Sequence, residues 1–84
     1  MPVIHVDILE GRTLEAKRAY VEALTECSIK HLGCQAQNVT VVLSEISFDH
    51  YGRAGKLKID ELAEAGLTVE EYHAREKEKN SNKK

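Results

Sequence analysis

Two strand-forming stretches flank one long helical stretch, and that order constrains this chain more than any other feature. Residues 3–9, Val-Ile-His-Val-Asp-Ile-Leu, are rich in β-branched side chains and largely alternate. Val3, His5 and Asp7 fall on one face, and Ile4, Val6 and Ile8 on the other. Glu10, Gly11 and Arg12 form a turn. Thr13 is an N-cap residue, and Glu15 sits in the first helical turn, where the helix dipole favours a carboxylate. The spacing predicts a helix from Leu14 to His31 or Leu32, stopped by Gly33. Residues 35–38 are a polar loop, and residues 39–46, Val-Thr-Val-Val-Leu-Ser-Glu-Ile, predict a second strand. Strand, helix and strand at this spacing make a β-α-β unit with parallel strands and a right-handed crossover.

Such a unit is incomplete by itself. Two parallel strands and one helix leave a sheet face and both edges open. On the helix, Glu15, Arg18, Glu22, Thr25 and Glu26 share one stripe. Leu14, Ala16, Ala19, Tyr20, Val21, Ala23, Leu24, Cys27 and Leu32 spread over the remaining arc. That arc is about twice the roughly 100° that packing on one sheet uses. Neither a disulfide framework nor a metal compensates. Cys27 and Cys34 are the only thiols, and no pair among His5, His31, His50 and His73 has metal-ligand spacing. Free thiols in a reducing, cytoplasmic setting are the expectation. A lone core of this size supplies only about 3–5 kcal/mol. The pattern therefore predicts an α/β subunit completed by association with further copies of itself.

The remainder adds short elements. Residues 47–57, SFDHYGRAGKL, read as a turn and a short hairpin. Residues 60–65 predict a short helix ended by Gly66, and Thr68 with Glu71 forms a capping box that opens another, through about Lys79. The division expected is a β-α-β domain over residues 1–57 and a C-terminal extension over 58–84. From Ala74 onward the extension, AREKEKNSNKK, has one apolar side chain, so fraying or disorder is expected there. That segment carries five basic and two acidic residues, +3 of a net charge of −2, which leaves −5 on the rest. An acidic body argues against nucleic-acid binding. No apolar run approaches the about 18 residues of a membrane span, and the N-terminus lacks the regions of a signal peptide.

The only proline is Pro2, directly after the initiator. Removal of Met1 converts its nitrogen to a free secondary amine. An α-amino group titrates near about 8 in water. An apolar pocket and nearby cations lower that value. The amine is then neutral at neutral pH and fit to act as a general base. The residue alone leaves this open beside the plain reading, a proline tolerated before a strand.

Several segments taken together resemble the 4-oxalocrotonate tautomerase family over residues 2–57. They are Pro2, the first strand, Ile8-Leu9-Glu10-Gly11-Arg12-Thr13, the helix, the Val-Thr-Val-Val-Leu-Ser-Glu strand, and His50-Tyr51-Gly52-Arg53-Ala54-Gly55-Lys56-Leu57. The resemblance implies a cofactor- and metal-independent enol–keto isomerase acting on small 2-hydroxydienoates or α-keto acid enols. It implies β-α-β subunits paired into four-stranded sheets and assembled as a hexamer, a trimer of dimers. Pro2 would be the base and Arg12 the ligand of a substrate carboxylate, whose planar anion suits a guanidinium fork. Leu9, Tyr51, Thr40 and Arg53 are the further substrate-binding candidates. Two departures follow from the same comparison. Thr40 stands where well-studied members carry a second arginine, which weakens the hold on a dicarboxylate and makes a mono-acid as plausible a substrate. Tyr51 stands where those members have phenylalanine. Arg53 or Lys56 is a replacement cation if the hairpin folds over the pocket. Glu45 and Asp49 are candidates for activating water in the alternative, a hydratase or dehalogenase of the same superfamily. A further alternative is a non-catalytic oligomer that keeps Met1. His5, Asp7 and His50 read as packed or solvated residues.

Overall fold

The computed structural model describes residues 2–81. In chain order it contains β1 (Val3–Leu9), α1 (Leu14–Leu32), β2 (Thr40–Ile46), β3 (Gly52–Arg53), β4 (Lys56–Leu57), α2 (Lys58–Ala65) and α3 (Val69–Ser81). Single 3-10 turns stand at Ala36–Asn38 and Phe48–His50. β1 and β2 are neighbours in one sheet. At its start Thr40 N–H donates to Pro2 C=O (3.1 Å), and at its end Glu10 N–H donates to Ile46 C=O (2.9 Å). Both strands therefore run the same way, as a single crossover helix requires. The described residues form two compact units. The first comprises the chain through Ile8 with Thr13–Glu45, and the second comprises Leu9–Arg12 with the chain from Ile46 onward.

In the first unit the local signals act as the sequence predicts. Thr13 Oγ1 accepts the N–H of Ala16 (3.1 Å) and opens α1. Gly33, in the left-handed conformation at φ 70°, closes it by donating to Ile29 C=O (3.0 Å). Ile4, Val6 and Ile8 are half-buried, while Val3, His5 and Asp7 are exposed. The exposed row is tied across the sheet by His5 Nε2 and Ser44 Oγ at 2.9 Å. What this unit lacks is a core. Its one buried described residue is Ser28, whose hydroxyl donates to Leu24 C=O (3.0 Å). Val3 and Leu32 are each 67% exposed and Leu14 59%. Apolar surface of this kind on both strand and helix is the incompleteness read from the sequence.

The second unit has a core, small but closed. Phe48 is 1% exposed. Its ring meets Tyr72 edge-on at 5.6 Å between centroids and His73 at 6.0 Å. Leu62 and Lys58 are the other buried side chains. The β3–β4 hairpin pairs Gly52 with Leu57 and Arg53 with Lys56. Ala54 and Gly55 form its two-residue turn at φ 55° and 79°, the left-handed pair that matches strand twist. Helix α2 begins two residues earlier than read from the sequence, at Lys58, whose N–H donates to Tyr51 C=O (2.8 Å). The capping box forms in both directions. Glu71 N–H donates to Thr68 Oγ1 (3.1 Å), and Thr68 N–H donates to Glu71 Oε1 (2.8 Å).

The sequence offers two readings past Ala74, a helix through about Lys79 and a frayed or disordered tail. Helix α3 follows the first and continues to Ser81, and residues 82–84 lie outside the described part. Composition measures what a segment can bury, and this segment buries little. A helix nucleated elsewhere needs only one bond per added residue, and Ala, Arg, Glu and Lys propagate it well. The nucleus is the capped first turns, which Tyr72 and His73 anchor on Phe48. Among the described residues no helix is long and apolar enough to cross a membrane.

Gly11 shows why the second unit needs a bare backbone at one point. Its φ is 113°, and a Cβ there would run into Val69 Cγ1 and press on the His73 ring. Gly11→Ala should therefore destabilise the fold by about 2 kcal/mol or more. Phe48→Ala should cost about 3–5 kcal/mol. Urea unfolding followed by far-ultraviolet circular dichroism measures both, and a midpoint unchanged in either variant would contradict this account of the core.

Candidate active site

The candidate residues divide between the two units. In the first, Pro2 heads β1 and is half-buried. Its carbonyl is the acceptor of the Thr40 N–H, so the position where the resemblance expects a second cation is joined to Pro2 by a backbone bond. Thr40 itself is exposed. Glu45, the candidate for activating water, is held by Lys17 Nζ at 2.9 Å.

In the second unit the Leu9–Arg12 turn is fastened at several points. Glu10 uses its N–H on Ile46, and its carboxylate Oε2 accepts the N–H of Phe48 (3.4 Å). Its carbonyl accepts from His73 Nε2 at 2.7 Å, which assigns the proton to Nε2 because a carbonyl can only accept. His73 Nδ1 is buried without a hydrogen-bond partner. From this fixed base the Arg12 guanidinium reaches outward. Nη1 donates to Leu9 C=O (3.4 Å), and Nη2 lies 3.9 Å from Glu76 Oε1. Glu76 Oε2 accepts the Tyr72 hydroxyl proton (3.3 Å).

The hairpin places the remaining candidates in the same unit. Tyr51 is half-buried, with its carbonyl bonded to Lys58 N–H. Arg53 is exposed on β3 opposite Lys56. The two cations differ in what they have left to offer. Lys56 Nζ donates to both oxygens of Glu64 at 2.6 Å, a bond that raises the lysine pKa. Arg53 makes no such pair among the described residues. Asp49 sits between Ser47 and His50, and its bonds to the Ser47 hydroxyl and then the His50 ring hold its pKa below the ordinary aspartate value.

Sequence reasoning missed Lys58, Tyr72, His73 and Glu76. Lys58 is buried, its Nζ 5.1 Å from the Tyr72 ring centroid and 3.3 Å from Glu61 Oε1. Tyr72 and then Glu61 raise its pKa against the opposing effect of burial. One signal was readable: Tyr72 and Glu76 stand four apart on a helix that the capping box already announces. The meetings of Glu76 with Arg12 and of His73 with Glu10 each span more than sixty positions of chain and had no local signal.

Comparison with known proteins gives the following. The sequence model of the family described as Tautomerase enzyme matches residues 2–61. The 2-hydroxymuconate tautomerase of Bacillus subtilis is 43% identical over 56 residues, 67% of this chain and 90% of that protein. A 4-oxalocrotonate tautomerase isozyme from Methylibium petroleiphilum superposes with a TM-score of 0.72 at 33% identity, covering 75% of this chain and 98% of that one. TomN, a 4-oxalocrotonate tautomerase homologue of the tomaymycin biosynthetic pathway, superposes with a TM-score of 0.71 at 31% identity, covering 74% and 95%.

The surroundings of Lys58 predict a pH dependence. A lysine whose folded pKa is raised stabilises the fold fully below the unfolded value of about 10.4. That contribution is lost as pH climbs through the folded value. Stability measured by urea unfolding should fall in this alkaline window for the parent chain and should be flatter there for Lys58→Met. Parallel curves for the two would contradict the ion-pair and ring contacts described.

Proposed function

The chain belongs to the tautomerase enzyme family, and from that premise we propose that it interconverts the enol and keto forms of a small 2-hydroxy-enoic acid with Pro2 as the base. The enzyme is an isomerase, as its tautomerase relatives are. One observation carries the finer reading: the family match begins at Pro2 and leaves Met1 outside it. With Met1 removed, the Pro2 amine takes the proton of the 2-hydroxyl, the electron pair shifts through the enol, and the same proton is delivered to carbon. The reaction neither consumes nor releases atoms, so it calls for no co-reactant.

Arg12 is the proposed carboxylate ligand. Its present partner, Glu76, is 3.9 Å away, and both side chains are about half exposed. A pair of that kind contributes about 0–1 kcal/mol. A substrate carboxylate that forms a bidentate, charge-assisted contact displaces it. Leu9 and the Tyr51 ring are proposed as apolar lining, and Thr40 as a neutral neighbour of the base. A neutral Thr40 favours a mono-acid substrate. Assembly into a hexamer is the proposed completion of the first unit, supported by the exposure of Val3, Leu14 and Leu32. The pairing of Glu45 with Lys17 argues against a water-activating role for that carboxylate, which leaves Asp49 as the candidate of the hydratase reading.

The test is ketonisation of phenylenolpyruvate followed by ultraviolet absorbance, on protein whose intact mass shows that Met1 is absent. Pro2→Ala should lower kcat by about a hundredfold or more. Arg12→Gln should raise KM by about tenfold or more. Turnover that persists in Pro2→Ala, or in protein retaining Met1, would sink the proline mechanism.

A further inference from the structure

The second unit contains a cleft bounded by β3, α2 and α3, with a volume of about 390 Å³. That lies within the range of small-molecule sites, about 300–1,000 Å³. Leu62, Ala65, Leu67 and Tyr72 contribute its apolar surface. Its charged lining does not cancel. Glu61 is paired with Lys58 at 3.3 Å. Glu76 accepts from the Tyr72 hydroxyl and lies 3.9 Å from Arg12. Both carboxylates of the cleft are thus matched. Two guanidiniums remain, Arg53 and Arg75, and neither lies within ion-pair distance of a carboxylate among the described residues.

We propose that this cleft binds a small organic carboxylate with an apolar body, its anion on Arg53 and Arg75 and its body on Leu62, Leu67 and Tyr72. The chemistry selects this class. Surplus guanidiniums favour a planar anion that can accept two parallel N–H bonds. An apolar wall rewards a hydrocarbon body, which an inorganic anion lacks. The family match ends at residue 61, and Leu62, Ala65, Leu67, Tyr72 and Arg75 all lie beyond it. The cleft is therefore built where the extension meets the hairpin, since Arg53, Lys58 and Glu61 of its lining fall within the matched residues. It includes neither Pro2 nor Arg12, so it does not require the proline mechanism, although Glu76 of its lining is the partner of Arg12.

The probe is trans-cinnamate, titrated into the full chain and followed by backbone amide shifts in nuclear magnetic resonance. The expected result is saturable shifts at Leu62, Ala65 and Leu67 with a Kd on the order of 1 mM. Arg75→Gln and Arg53→Gln should each weaken binding by about tenfold. Pro2→Ala should bind as the parent does, which separates this site from the proposed base. Arg75 is exposed on α3, so its glutamine variant keeps the fold, and the amide spectrum verifies this. Phenylenolpyruvate kinetics then identify the source of the carboxylate. A KM raised by Arg75→Gln assigns the cleft to the substrate itself, and an unchanged KM beside lost cinnamate binding assigns it to a separate ligand. Three results would overturn the proposal: no saturable shift up to about 20 mM cinnamate, affinity unaffected by both arginine variants, or inorganic phosphate binding as tightly as cinnamate.

Discussion

Glu10 is the residue on which the second unit depends. Its N–H, its carbonyl and its carboxylate are all committed, to Ile46, His73 and Phe48. A residue held at two backbone points and one side-chain point has little freedom left to lose when a ligand arrives, and Arg12 is only two residues further on. The neighbouring Gly11 makes the arrangement possible, because only a bare Cα fits beneath Val69 and His73. A turn that reads in the sequence as a simple link between strand and helix is therefore the floor on which a distant helix rests. Phe48 completes it from the other side, its amide on Glu10 and its ring against Tyr72 and His73.

The first unit depends on a different constraint, the lack of anything to bury its apolar side chains. Val3, Leu14 and Leu32 stay exposed although strand and helix are well formed. Hydrogen bonding is complete where it is local, at Thr13, Ser28 and Gly33, and burial is incomplete where it is not. Marginal stability follows for any isolated β-α-β unit of this size. This is the physical ground on which the proposed assembly rests.

Much of this was legible in the residues. The strand alternation at Val3–Leu9, the Thr13 cap, the Gly33 stop and the Thr68–Glu71 capping box all depend on neighbours within a few positions, and each forms as read. The candidate site was legible in part. Pro2, Arg12, Tyr51 and Arg53 stand out through motif and spacing, and the distinction between Lys56 and Arg53 did not. It rests on Glu64, eight positions away on another element, which engages Lys56, whereas Arg53 has no carboxylate partner among the described residues. The helix from Val69 was legible at its capping box, and what the sequence did not show is that Tyr72 and His73 pack on Phe48.

The sequence by itself determined the local elements, the parallel β-α-β order and the family, because periodicity, capping chemistry and motif are short-range properties of the chain. Only the tertiary structure decided which charges are spent and which remain. Glu76 meets Arg12, Glu61 meets Lys58, Glu64 meets Lys56, and among the described residues Arg53 and Arg75 at the cleft have no carboxylate partner. Charge pairing depends on distances of a few ångströms between side chains far apart in the chain. Such distances are set by packing, and no one-dimensional pattern records them.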